Sequence, residues 1–371
     1  MSRILTIDIG AGTMDILYFD TESDLHYKAV VRSPVRTVAQ RVLAAPGRLL
    51  VVGTEMGGGA VSQALKRRAA EGEVLISEAA AMTLSHDLEK VRALGLEVID
   101  DEHSRELLAG GDYTPLALAD LELDRIQGIV EGFGVAFDFD VVGVCVQDHG
   151  VAPPGVSPLD YRHNHYRPIL DAQPSPDALL FRSEEVPEDM SRLRAVRDVA
   201  RSLPSPTVYV MDSGMAAILG ATLDARVLRC KRAIVLDVAT SHTVAACFDG
   251  DELCGFFEFH TKDIRLERMD SLLQELADGK LEHAQILAEG GHGAYTRRAL
   301  GFDSVEIILS TGPRRALLAG SSHEIVLGAP LGDNMMTGTA GLLEAIRRRE
   351  PSGLLGLSTR SASRGAFPNR P

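Results

Sequence analysis

Ile4 to Asp20 reads ILTIDIGAGTMDILYFD, and Ala233 to Asp249 reads AIVLDVATSHTVAACFD. Laid over each other without a gap, Asp8 falls on Asp237 and Asp20 on Asp249 at the same offset. Each copy is an apolar, β-prone run ending in an aspartate, a turn of small residues, and a second strand ending Phe-Asp. A third strand-like run follows in each, Leu25 to Val31 and Leu253 to Phe259. A hairpin that presents an acid beside a small-residue turn suits phosphate and metal. A chain that builds it twice is expected to clamp one phosphorylated ligand between two similar lobes.

The composition fits such a chain. Its 371 residues are enough for two domains of ordinary size, each with a core. Hydrophobic residues at 45% and charged residues at 24% are ordinary for a globular protein. The net charge of −14 argues against a nucleic-acid partner, because neutralising phosphates needs a basic surface. No stretch is long and apolar enough to cross a membrane, and Met1 to Arg3 leads directly into a strand, so the expected compartment is the cytoplasm. Cys145, Cys230, Cys247 and Cys254 lack the clustered spacing that an iron–sulfur centre requires and read as small buried hydrophobes.

Between the copies, the strand-like Leu49 to Gly53 runs through Thr54-Glu55-Met56 into Gly57-Gly58-Gly59 and then a helix pattern from Val61 to Ala70. Strand, glycine turn and helix is the grammar of an anion site at a helix N-terminus, and equally of a plain connector. Val74 to Ser77, one helix over Glu78 to Leu94, and Leu96 to Asp100 follow; Val141 to Val146 is a buried strand. From Ala152 to Ser205 the chain reads as Pro-rich loop with a helix at Met190 to Ser202. Within it, Tyr161 to Arg167 carries His163 and His165. Solvated loop is the plain reading of this segment; a substrate-contacting lid and metal ligation are the alternatives. Val208 to Met211 is a strand running into Asp212-Ser213-Gly214 and the small-residue helix Met215 to Ala221. After the second copy come a helix near Arg268 to Leu276, the glycine-rich Glu289 to Gly293, and strands Val305 to Leu309 and Glu324 to Leu327. A last helix spans Met335 to Arg348, and Pro351 to Pro371 reads as a disordered tail.

In this order the residues resemble the actin-like ATPase superfamily, which includes sugar and acetate kinases, heat-shock chaperone ATPases and actin. Asp8-Ile9-Gly10-Ala11-Gly12-Thr13 is similar to its first phosphate motif. Asp237-Val238-Ala239-Thr240-Ser241-His242 occupies the place of the second, keeping the acid and losing the glycines. Asp212 stands where hexokinase-like members carry an Asp before the first interlobe helix. Gly312-Pro313 resembles the adenosine motif, and Thr337 to Gly341 the second interlobe helix. A closer resemblance is to an archaeal and bacterial family often labelled as a pyruvate formate-lyase activating enzyme. That label implies radical chemistry on an iron–sulfur cluster, which the cysteine spacing rejects.

The resemblance implies an α/β fold of two ribonuclease-H-like lobes with an interlobe nucleotide cleft. Lobe I is expected over 1–225, with an insertion at about 55–205 and completion by a helix at 335–350; lobe II is expected over 228–334. ATP and Mg²⁺ are the implied cofactors. The amides of Gly10, Ala11, Gly12 and Thr13 would approach the phosphates, since glycine removes obstruction and permits the turn. Asp8 and Asp237 would hold Mg²⁺, which prefers few carboxylates plus phosphate oxygens. Thr240 and Ser241 hydroxyls or the charge of His242 would replace the missing glycines, or the second lobe binds a smaller anion or nothing. Asp212 is a candidate general base, with a helix cap as the equal alternative. Gly57, Gly58, Gly59, His163 and His165 are candidate substrate contacts. Three functions stay open: phosphoryl transfer from ATP to a small molecule, a slow ATPase switch that remodels a partner enzyme, and a degenerate fold that binds a metabolite without turnover.

Overall fold

The computed structural model describes residues 2–23 and 25–350. The tail expected over 351–371 lies outside the described residues.

The first copy folds as β1 (Arg3–Ile9), β2 (Thr13–Asp20) and β3 (Leu25–Arg32), followed by α1 (Pro34–Ala44). The inserted segment holds β4 (Leu49–Gly53), α2 (Ala60–Glu71), β5 (Val74–Ser77), α3 (Glu78–Ala81), α4 (Leu88–Arg92), β6 (Glu97–Ile99), α5 (Asp101–Gly110) and β7 (Thr114–Leu118). Then come α6 (Leu123–Gly132), β8 (Val141–Val146), α7 (Pro158–Ala172), β9 (Leu180–Arg182), α8 (Ser191–Ala200), β10 (Val208–Asp212) and α9 (Ser213–Ala221). The second copy is β11 (Arg232–Val238), β12 (His242–Asp249) and β13 (Glu252–His260). It continues with α10 (Leu266–Ala277), α11 (His283–Ala288), β14 (Gly293–Thr296), β15 (Ile307–Thr311), β16 (Ile325–Leu327) and α12 (Thr337–Arg349).

The strand order reads β3-β2-β1-β8-β10-β9 in one sheet and β14-β13-β12-β11-β15-β16 in the other. In both, an antiparallel three-stranded meander is continued by two strands parallel to its first strand: β8 and β10 beside β1, β15 and β16 beside β11. That shared order is the ribonuclease-H-like lobe, and two of them make the actin-like ATPase fold. The duplication holds in register: Arg3 pairs with Asp20 as Arg232 pairs with Asp249. β8 is VVGVCV and buried throughout, as a parallel strand covered on both faces should be. One cover is α12, which packs on β1, β8 and α9. It lies so close that a Cβ on Gly143 would stand 2.8 Å from Ile346.

The insertion makes its own parallel sheet, β6-β5-β4-β7, around a separate core of Val38, Val51, Leu65 and Ile76. Two local expectations need correction. The helix expected over 78–94 is two short helices, α3 and α4; Asp87 breaks the run by capping α4 through Glu89 N–H. The segment around 161–167, expected as solvated loop, is helix α7. Ser157 caps it, Pro158 takes its first turn, and Arg162, His163, Tyr166 and Leu170 are buried along one face. Its polar composition hides the helix because the buried side is itself largely polar.

Candidate functional site

The two meander turns line one cleft of about 1120 Å³, together with loop and helix residues of the inserted segment. The turns are built alike. Gly10 N–H donates to Thr13 O at 3.0 Å, and Ala239 N–H donates to His242 O at 3.1 Å. Each is braced by a hydroxyl residue after the third strand. Ser33 Oγ donates to Gly10 O at 2.6 Å, and Thr261 Oγ1 donates to Ala239 O at 2.8 Å. Their backbone N–H groups bond Gly12 O and Ser241 O in the same way. Gly10 and Gly12 are not among the positive-φ glycines, so the expectation that glycine permits this turn is corrected. Glycine acts there by absence of bulk: a Cβ on Gly12 would lie 2.6 Å from Thr240 Oγ1 across the cleft. Ala239, Thr240 and Ser241 therefore adopt the same turn without strain.

Three carboxylates gather at this point. Asp8 ends β1, Asp237 ends β11, and Asp15 on β2 pairs directly across from Asp8. All three line the cleft. Asp8 Oδ1 accepts from Ser213 Oγ at 2.8 Å and from the Cys145 thiol at 3.3 Å. Burial still pushes its carboxyl up to about 6, against those two bonds. Burial and then the charge of Asp8 push Asp237 up to about 7, while the Thr311 hydroxyl pulls the other way at 3.1 Å. Burial and Asp8 raise Asp15 to about 9, and its Oδ1 is buried without a hydrogen-bond partner. The first turns of α9 and α12 reach the same place: Ser213 opens α9, and a Cβ on Gly338 of α12 would lie 2.0 Å from Asp8 Oδ2. Both helices direct their partial positive ends at Asp8.

Behind this cleft lies a buried ion network. Arg162 of α7, 1% exposed, donates to Asp212 Oδ2 at 2.8 Å and to Glu258 Oε2 at 2.6 Å. Asp212 ends β10 in lobe I and Glu258 lies on β13 in lobe II, so one guanidinium joins the lobes. Tyr166 OH also donates to Asp212 at 2.9 Å, and Met215 N–H donates to its Oδ1 at 3.0 Å. The general-base expectation for Asp212 is corrected by this geometry. Its carboxylate is a helix cap and an ion-pair partner, and it is not among the residues lining the cleft. Burial opposes ionisation of Glu258, but Arg162 and nearby imidazoles outweigh it and hold the carboxyl well below its usual range.

The wall opposite the turns comes from the insertion. Gly57, Gly58 and Gly59 line the cleft, with Gly59 at φ 43 before α2. Arg192, paired with buried Asp120 at 2.8 Å, lies against Gly57, where a Cβ would meet it at 2.8 Å. Glu55 Oε1 accepts from His86 Nε2 at 2.9 Å on the same wall.

Of the other expected contacts, Ala11, Thr13, Thr240, Ser241, His242 and Pro313 line the cleft. Gly312 lies just beneath, at φ +87, where a Cβ would stand 2.6 Å from Val238 O. His163 and His165 do not line the cleft. His163 is buried with its ring 5.5 Å from Phe256 and 4.5 Å from His283, and His165 Nδ1 lies 3.5 Å from Asp189. They are corrected as substrate contacts because their neighbours are Phe256, His283 and Asp189 and neither is among the lining residues. Asp15, Arg162 and Glu258 were not found from sequence. Asp15 is inside the duplicated stretch, but its counterpart is Val244, so the comparison of copies passes over it.

Cys145, Cys247 and Cys254 are buried and free, and Cys230 is half-buried. Among the described residues, the group of three or more metal-ligating side chains that gathers is histidine, not thiolate. No helix of the described residues is long and apolar enough to cross a membrane.

No curated protein matches the chain at a significant level. Among solved structures, it is similar to "a putative N-acetylmannosamine kinase" from Listeria monocytogenes at 10% identity and TM-score 0.35, covering 94% of this chain and 100% of that one. A Bacteroides thetaiotaomicron protein with actin-like ATPase fold matches at 8% identity and TM-score 0.36, covering 92% and 96%. The ethanolamine utilization protein EutJ from Carboxydothermus hydrogenoformans matches at 10% identity and TM-score 0.30, covering 92% and 89%. A family model does match residues 56–317, and the chain belongs to the family described as "Putative pyruvate format-lyase activating enzyme (DUF1786)".

Proposed function

We propose that the protein binds a Mg²⁺-nucleotide between its lobes and transfers the terminal phosphoryl group to a small molecule held against the inserted sheet. The observation that carries this reading is the meeting of Asp8 and Asp237, one from each lobe, with each raised by burial and Asp237 raised further by Asp8. Carboxylates crowded in this way, with a buried unpartnered oxygen on Asp15, fit a divalent cation that prefers oxygen ligands. Mg²⁺, when bound, would neutralise phosphate charge; the chain's own part is positioning. Gly10 N–H is spent on Thr13 O, which leaves the amides of Ala11 and Gly12, with those of the first turns of α9 and α12, to face phosphate. Thr240 stands against Gly12, so the lobes have to part there to admit a phosphate chain. Arg192, Glu55 and His86, which line the same cleft, would hold an acceptor.

Titration calorimetry tests this reading. Mg-ATP should bind, EDTA should weaken binding, and Asp8→Asn and Asp237→Asn should each weaken the Mg²⁺-dependent part. No heat and no thermal shift at saturating Mg-ATP would overturn the reading.

The ATPase-switch reading is favoured by one observation, the engagement of Asp212 in the interlobe ion network instead of in the cleft. A switch needs no acceptor base and uses lobe movement as its output. Slow ATP hydrolysis without any acceptor, unaffected by small hydroxyl compounds, would select it over the kinase.

A further inference from the structure

We propose that lobe II carries a transition-metal site of three imidazoles, His242, His260 and His292, which takes a Zn²⁺-class cation with one coordination position open to the cleft. His242 opens β12 and His260 closes β13, and the two are paired in register. His292 comes from the glycine-rich turn before β14, tied down by its N–H to Glu258 O at 2.8 Å. One ligand nitrogen from each lies within 4.8 Å of the others, and the ring centres are 4.4–4.8 Å apart. Three nitrogen ligands with a vacant fourth direction is the donor set of an open zinc site. It is the wrong set for Mg²⁺, which takes oxygen.

The protein's own bonding leaves these rings unsatisfied. His242 Nε2 is buried without a hydrogen-bond partner. The 3.1 Å contact between His292 Nε2 and His260 Nε2 can use only one proton. Buried polar atoms are normally paired, and a bound cation would satisfy these lone pairs together. An outer partner is in place: Glu258 Oε1 is 3.5 Å from His292 Nδ1, where a carboxylate orients a metal-bound imidazole.

The site is not an inheritance of the shared lobe. The residues of the first copy that match His242 and His260 in register are Thr13 and Arg32. It sits where the second turn has no glycine, and His242 is its face on the cleft. The fourth position therefore opens beside Thr240 and Ser241, toward an anionic oxygen of whatever fills the cleft. His149, from the loop after β8, stands nearby with its ring 5.7 Å from His292, so the metal lies at the seam between the lobes.

The test uses the full chain stripped with EDTA and titrated with Co²⁺ alone. The expected result is one Co²⁺ per chain with the visible absorption of a nitrogen-ligated tetrahedral site, displaced by Zn²⁺ and not by excess Mg²⁺. His260→Ala and His242→Ala, at the two half-buried ligands, should each weaken binding by at least the roughly 10–100-fold that loss of an outer partner costs. In EDTA both variants should unfold no earlier than the parent, because they remove crowded imidazoles. Absence of the Co²⁺ spectrum, or unchanged affinity in either folded variant, overturns the proposal. Mg-ATP binding is measured separately, so either reading can fail alone.

Discussion

At the scale of single residues, Asp15 and Arg162 carry the sharpest consequences. Asp15 holds a proton in the folded chain well above the ordinary carboxyl range, near 9, and releases it on unfolding. The native state then binds more protons than the unfolded state between the two values, so its stability is full at acid pH and falls as pH rises toward 9. In EDTA, the unfolding temperature should decline from about pH 5 to about pH 8, and Asp15→Asn, which keeps the shape and removes the charge, should flatten that decline. An equal decline in the variant would show that Asp15 is not responsible. Mg²⁺ should raise the unfolding temperature most at the alkaline end, where the carboxylates are ionised. Arg162 is a different case, because its charge is matched. Arg162→Met strands Asp212 and Glu258 as buried anions and should cost about 3–5 kcal/mol, read by denaturant unfolding. Asp212→Asn keeps the capping oxygen for Met215 N–H but puts an amide NH2 where Oδ2 accepts from Arg162 and Tyr166; with Arg162 still paired to Glu258, it should cost less than Arg162→Met.

At the scale of elements, the contact of α9 with α12 is the tightest joint. A Cβ on Gly341 would lie 1.8 Å from Ala216 O, and one on Gly220 would lie 1.8 Å from Thr337 O. These are backbone neighbours that cannot swing aside. Gly341→Ala or Gly220→Ala should therefore force the helices apart and destabilise by about 1–3 kcal/mol, in a chain where Gly→Ala on an exposed helix would stabilise. Because α12 also rests on Asp8 through Gly338, the same variants should weaken Mg-ATP binding, measured by calorimetry. Unchanged stability in both would contradict the close packing.

At the scale of the whole molecule, the two lobes meet in the cleft where Gly12 stands against Thr240. Entry of a phosphate chain requires separation at that contact, while Arg162 holds the lobes together behind it. Saturating Mg-ATP should accordingly change the small-angle scattering profile, with the lobes rotating about the α9–α12 joint. Identical profiles with and without ligand, at proven saturation, would exclude that movement. Thr240→Gly should ease entry and raise the association rate, because it removes the side chain that stands against Gly12.

The duplicated hairpins, their acids and the two-lobe architecture were legible in the amino-acid order. Alternation of apolar residues and the position of turn residues are local properties, and a repeat makes them visible twice. The same logic located Asp8, Asp237 and the Gly10–Thr13 turn at the cleft. It also set the Ala239–Ser241 turn as suspect, although the backbone there needs no glycine. What local order cannot encode is which distant polar groups become neighbours. Arg162 read as part of a solvated loop because its face of α7 is polar, and only contact with Asp212 from one lobe and Glu258 from the other explains why it is buried. Asp212 is claimed by that network, and His163 is turned into a core. His242, His260 and His292 lie far apart in sequence and converge because strand pairing brings β12 beside β13 and β13 beside β14. Strand pairing across long sequence separations decides those distances, and a charge's role depends on the distances.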